Sequence, residues 1–211
     1  MIYRIRNIVL FICLFCFLAC NNYHPKTKRE YRAWFANEDN GFLKKKQIGY
    51  LQFNVQYRPI DYMLLNELEE DKSYDKNQID TLRKSYGSSK YFLLEVGIDD
   101  EDMTINEDMT RLMINNYKEF QELITTLAFD MKSKVSLQLG EDTYEPSIYH
   151  FERGYELGYK QRFVFAFAIP SESDKSEFTF VFDDDLFDSG INKFKFEALS
   201  NIIPSLPIEI S

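Results

Sequence analysis

The stretch Arg162 to Ile169, RFVFAFAI, decides how this chain folds. Aromatic and β-branched residues favour the pleated backbone. A strand that is apolar at nearly every position belongs inside a sheet, covered on both faces. Around it, Ile148 to Tyr155, Glu177 to Asp183 (EFTFVFD) and Asn192 to Phe196 (NKFKF) carry the same signal, divided by Gly, Pro, Ser and Asp. Several short strands at this spacing predict an antiparallel sandwich or barrel.

Upstream, the pattern is mixed. Gly49 to Tyr57 alternates, with Leu51, Phe53, Val55 and Tyr57 apolar and Gln52, Asn54 and Gln56 between them. Period two marks a half-buried strand, stopped here by Pro59. Lys90 to Ile98, KYFLLEVGI, is the next strand. Asp75 is placed to cap a helix over Lys76–Tyr86, ended by Gly87. Asn106 is placed to cap another, whose apolar stripe is Met113, Tyr117, Phe120, Ile124, Leu127 and Met131. Phe129, Met131, Val135, Leu137 and Leu139 also alternate, so the chain switches from helix to strand between 127 and 134. The expected fold is α+β: mostly antiparallel β-sheet, sandwich-like, with a few flanking helices.

The N-terminus reads differently. All three cysteines of the 211 residues, Cys13, Cys16 and Cys20, fall in its first twenty positions. Arg4 and Arg6 precede an apolar run from Ile8 to Ala19. A positive start, a short apolar core and a small residue before the cut make a secretory signal. The run falls short of the roughly 20 residues a membrane span needs.

Leu18-Ala19-Cys20 resembles the lipobox of bacterial lipoproteins. That resemblance implies removal of residues 1–19, diacylglycerol on the Cys20 sulfur and acylation of the new amine. Several acyl chains anchor stably where one would be marginal. Asn21 stands where an inner-membrane retention aspartate would, which implies a lipid-anchored place in the bacterial cell envelope, at the outer membrane. The later strands resemble the small immunoglobulin-like domains of envelope lipoproteins, and the whole is similar to lipoproteins of Bacteroidota. With Cys13 and Cys16 removed and Cys20 lipidated, the mature domain holds no thiol and no disulfide. Its core must supply its own stability.

The composition, 45% hydrophobic and 16% aromatic, is that of a folded chain. Charge is uneven. Residues 21–46 carry seven Lys or Arg against three acids, while residues 47–211 carry sixteen against thirty-one. The expectation is a basic membrane tether over 20–46 and a single acidic domain over 47–211. Anionic headgroups attract the one and repel the other. Tyr31, Trp34 and Phe35 in the tether either dock on the domain or sit at the interface. The acidic domain argues against nucleic acid, whose phosphates need clustered Lys and Arg.

Candidate chemistry is sparse. His24 lies in the tether, and His150 shares a strand face with Glu152, about 7 Å away. A zinc site wants three or four ligands, so the pair reads as ordinary sheet-face residues. Asp99–Asp102 and Asp183–Asp185 resemble calcium ligand sets, but Ile105 stands where a calcium loop needs Gly. Both read as turns at strand ends. Glycine-rich phosphate loops, nucleophile elbows and triad spacings are absent from the sequence. The expectation is a non-catalytic binding or assembly module with no cofactor and no metal, anchored in the membrane through Cys20 and docking on an envelope protein. Tyr149, Tyr155 and Tyr159, around HFERGYELGY, are its candidate interface anchors, unless they fill the core. The alternatives are an immunity or inhibitor lipoprotein against a secreted toxin, and an envelope hydrolase working with two carboxylates.

Overall fold

The computed structural model describes residues 24–69, 72–98, 116–152, 160–170 and 176–208. Their strands are β1 (Leu43–Ile48), β2 (Leu51–Arg58), β3 (Ser89–Ile98), β4 (Val135–Leu139), β5 (Asp142–Tyr144), β6 (Ile148–Glu152), β7 (Lys160–Ala168), β8 (Phe178–Asp184) and β9 (Gly190–Phe196). They form a five-stranded sheet in the order β1-β2-β3-β7-β6 and a four-stranded sheet in the order β5-β4-β8-β9. Every neighbouring pair is antiparallel. The helices are α1 (Lys28–Ala36), α2 (Ile60–Leu64), α3 (Lys76–Ser85) and α4 (Tyr117–Thr125). The fold is thus α+β and sandwich-like, and among the described residues no helix is long and apolar enough to cross a membrane.

Aromatic rings from both sheets fill the space between them. Phe92 of β3 lies 5.1 Å from Phe180 and 5.7 Å from Phe178 of β8, and 5.8 Å from Phe196 of β9. Phe163, Phe165 and Phe167 of β7 are fully buried on the same side. Such rings bury large areas and attract edge to face, a gain of about 0.5–1.5 kcal/mol per pair beyond burial. RFVFAFAI is an inner strand, as its composition demands. Its second face is covered only in part, with Ala166 buried and Ala168 exposed.

Local signals account for the connections. Gly49 and Tyr50 join β1 to β2 in a two-residue turn, and Gly49 takes φ 59°, which a side chain would strain. Asp75 and Gln78 form a reciprocal capping box at the start of α3, and Gly87, at φ 62°, follows its end. The expected start at Asn106 lies outside the described residues. Asn116 caps α4 through Glu119 N–H at 3.0 Å. Tyr117, expected on the apolar stripe, is exposed in the first turn, while Leu123, Leu127 and Met131 are buried. The helix-to-strand switch falls where expected. A π turn over Thr126–Asp130 and a 3-10 turn over Met131–Lys134 lead into β4.

One boundary is corrected. The expected tether ends inside β1, and from His24 onward its described residues belong to the fold. Tyr31 and Phe35 of α1 are fully buried; Phe35 meets Phe42 at 4.6 Å and Tyr62 at 5.3 Å. Tyr31 donates to the carbonyl of Pro204 at 3.3 Å. The aromatics therefore dock. The lysines are occupied too: Lys28 donates to the Leu68 carbonyl, Lys45 pairs with Glu38 at 2.7 Å, and Lys46 donates to buried Asn192 at 2.8 Å. Net charge misled here, because long lysine stems line a sheet edge while their tips find acceptors.

Candidate functional site

The sheet's alternation that sends Phe53, Val55 and Tyr57 inward sends Asn54, Gln56 and Arg58 outward, away from the second sheet. There α1 comes over β2, tied down by Gln56 Nε2 donating to the Phe35 carbonyl at 3.3 Å. Ala33 and Ala36 are small, so a cleft of about 340 Å³ stays open between helix and sheet. Asn54, Gln56, Leu93, Glu95 and Arg162 line the sheet side, and Tyr62 of α2 adds to the wall.

Two of these groups lack what burial requires. Asn54 is only 6% exposed, yet its Oδ1 has no hydrogen-bond partner. A buried acceptor left unpaired costs about 1–3 kcal/mol. Arg58 donates from Nε to Gln56 Oε1 at 3.0 Å and lies 5.2 Å from the Tyr62 ring centroid. Among the described residues it makes no ion pair. Burial, with Arg162 acting in the same sense, lowers its pKa, while Tyr62, Glu152 and Glu95 oppose them. An arginine does not give up its proton. That shift therefore expresses a charge whose lost hydration is incompletely replaced, and an anion would replace it.

Arg162 is differently placed. Its Nε reaches Glu95 Oε1 at 3.1 Å and its Nη1 reaches Glu152 Oε2 at 3.2 Å, so it is neutralised on two sides. Glu95 stands directly across the β2–β3 ladder from Asn54. The cleft thus has a cationic end at Arg58 and an acceptor end at Asn54 and Glu95. Arg32, on the helix side, donates to Asn66 Oδ1 at 3.1 Å.

A larger concavity of about 500 Å³ opens between α2, Ile169 and Pro170 just after β7, and residues 199–205. Its charged pair is closed on itself, because Arg83 grips both oxygens of Asp61 at 2.7 and 2.9 Å. That bond raises the Arg83 pKa. Among the described residues, no buried side-chain polar atom there lacks a partner as Asn54 Oδ1 does.

The residues singled out from sequence lie elsewhere. Tyr149 is committed to the fold: its ring lies 5.2 Å from Phe165, and its hydroxyl donates to the Leu127 carbonyl in the π turn. Burial raises its pKa. As an outward anchor it is therefore corrected. Tyr155, Tyr159, Cys20 and Asp99–Asp102 lie outside the described residues. His150 is exposed on the outer face, and Glu152 beside it turns to Arg162 instead. Asp184 is no solvated turn residue. It is 3% exposed and accepts the backbone N–H groups of Leu186, Phe187 and Ser189 at 2.9–3.0 Å, so it caps the β8–β9 turn. Among the described residues, no three His, Asp or Glu side chains gather as metal ligands.

Sequence reading passed over Asn54 because alternation assigns it to solvent, and over Arg58, Glu95 and Arg162 because no motif singles them out. The available signal was Gln52, Asn54, Gln56 and Arg58 on one face, an amide-rich row ending in a cation. No protein-family model, curated protein or solved structure matches this chain, which leaves the chemistry of its own residues to speak for its function.

Proposed function

We propose that this chain is a lipid-anchored envelope protein that works by binding, through the cleft on the outer face of its five-stranded sheet. The observation that carries this is the pairing, in one concave place, of Arg58, which makes no ion pair among the described residues, with Asn54, whose Oδ1 has no donor there. Both groups hold a ligand; neither is a nucleophile or a proton-transfer group. The Leu18-Ala19-Cys20 motif supports the anchor. From Cys20 to His24 the chain spans at most about 14 Å. Lipidation would thus keep the folded domain close to the bilayer, with no long tether between them.

The test is mass spectrometry of protein drawn gently from its native envelope. Residues 1–19 should be missing and Cys20 acylated. A molecule should accompany the wild-type protein and be lost from Arg58→Met. Intact Met1–Ala19 on mature protein would contradict the anchor. A companion retained in full by Arg58→Met, or none in either protein, would contradict the cleft.

A further inference from the structure

Resting on that binding reading, we infer that the cleft takes a free α-amino acid in its zwitterionic form. The two ends of the site are chemically opposite and close together. Arg58 is drawn back along β2 by its 3.0 Å bond to Gln56, the position next to Asn54 on that face and about 7 Å from it along the strand, which leaves its two Nη groups for a ligand. They offer the planar fork that a carboxylate accepts.

Asn54 Oδ1 needs a donor. Glu95 faces it across the ladder, at the Cβ separation of about 5 Å typical of such pairs. Its Oε1 is held by Arg162 at 3.1 Å, and its side chain stays partly open to the cleft. A neutral amide oxygen beside a carboxylate suits an ammonium better than a hydroxyl, because the ammonium donates to both and balances the charge. A carboxylate and an ammonium on one carbon span the gap between the two ends. The ligand's side chain is left against Leu43, Leu93 and Tyr62, with room in about 340 Å³. A simple anion would leave Asn54 unsatisfied, and a simple amine would leave Arg58 so.

Isothermal titration of the purified folded protein with alanine, leucine, glutamate and lysine tests this, using leucinamide and N-acetylleucine as controls. The first control lacks the carboxylate and the second lacks the ammonium. At least one zwitterion should bind. Each control should bind weaker than leucine by about tenfold or more, and where another of the four binds tightest, its own amide and N-acetyl forms should bind weaker than it by that factor. Arg58→Met should abolish binding, and Arg58→Lys, which keeps charge and packing but loses the fork, should weaken it. Glu95→Gln should weaken the amino acid about tenfold while leaving the circular dichroism spectrum unchanged. Binding equal with and without either charged group overturns the inference, as does binding that survives Arg58→Met. So does silence from all four amino acids. If they are silent while a companion still leaves with Arg58→Met in the envelope preparation, the ligand class is wrong and the binding reading stands. If both fail, both are wrong.

Discussion

Phe53, Val55 and Tyr57 point from β2 into the sandwich, while Asn54, Gln56 and Arg58, alternating with them, point out beneath α1. The outward set is largely hidden from water too, with Asn54 at 6% and Gln56 at 8% exposure and Arg58 half-buried. Inside, each ring meets other rings, as Tyr57 meets Phe178 at 5.0 Å. Outside, polar groups are buried without full satisfaction. The first arrangement is what stability alone would select. The second costs stability, and buried polar groups left unpaired in that way point to a ligand. One strand therefore separates the two demands by its pleat.

The contrast can be broken from either side. The largest effect should come from removing the first 46 residues, which deletes buried Tyr31, Phe35 and Phe42 together with most of edge strand β1. The remaining 47–211 fragment should lack a cooperative thermal transition by circular dichroism. A single sharp transition would restore the tether reading. Next, Phe92→Ala should lower unfolding free energy by about 3–5 kcal/mol in urea titrations. Five rings stand within 5.8 Å of it, and they cannot all collapse into the cavity. A loss below about 1 kcal/mol would mean the inner face is loosely packed.

Smaller effects sharpen the picture. Tyr149→Phe removes one hydrogen bond and leaves the Leu127 carbonyl without that donor, at a cost of about 1 kcal/mol by the same titration. No change would free Tyr149 for an outward role. Smallest is an alkaline effect at Tyr86, whose pKa burial and the bond to Glu67 push up to about 12 from an ordinary value of 10.0. The folded value exceeds the unfolded one, so this contribution is complete below about pH 10 and is lost as pH rises through about 12. Tyr86→Phe should flatten the fall in stability over that window. An identical fall in both proteins would remove Tyr86 as its cause.

Much of the fold could be read from the residues. Runs such as EFTFVFD and RFVFAFAI have few other homes than a sheet, and Asp75 with Gly87 bracketed α3 closely. The start of the domain was misread because summed charge ignores direction: LKKKQI looks like a solvated basic run, yet it is an edge strand with Lys46 reaching a buried amide. The cleft was illegible for a related reason. Alternation says which residues leave the core, but it does not say that α1 will cover them. Only long-range packing, with Phe35 seated on Phe42 and Tyr62, turns Asn54 from a surface amide into a buried one. Tyr149, chosen as an anchor for its chemistry, went where its ring was needed.

The most direct test of this division is Asn54→Leu, which keeps the branched shape and removes the unpaired oxygen. Thermal melting and amino-acid titration should be measured on the same preparation. The account predicts a protein more stable by about 1 kcal/mol, since the unpaired acceptor is gone, and one that no longer binds. A variant that melts lower would show that Asn54 is satisfied in the folded protein. One that binds as the parent does would show that the cleft is not the site.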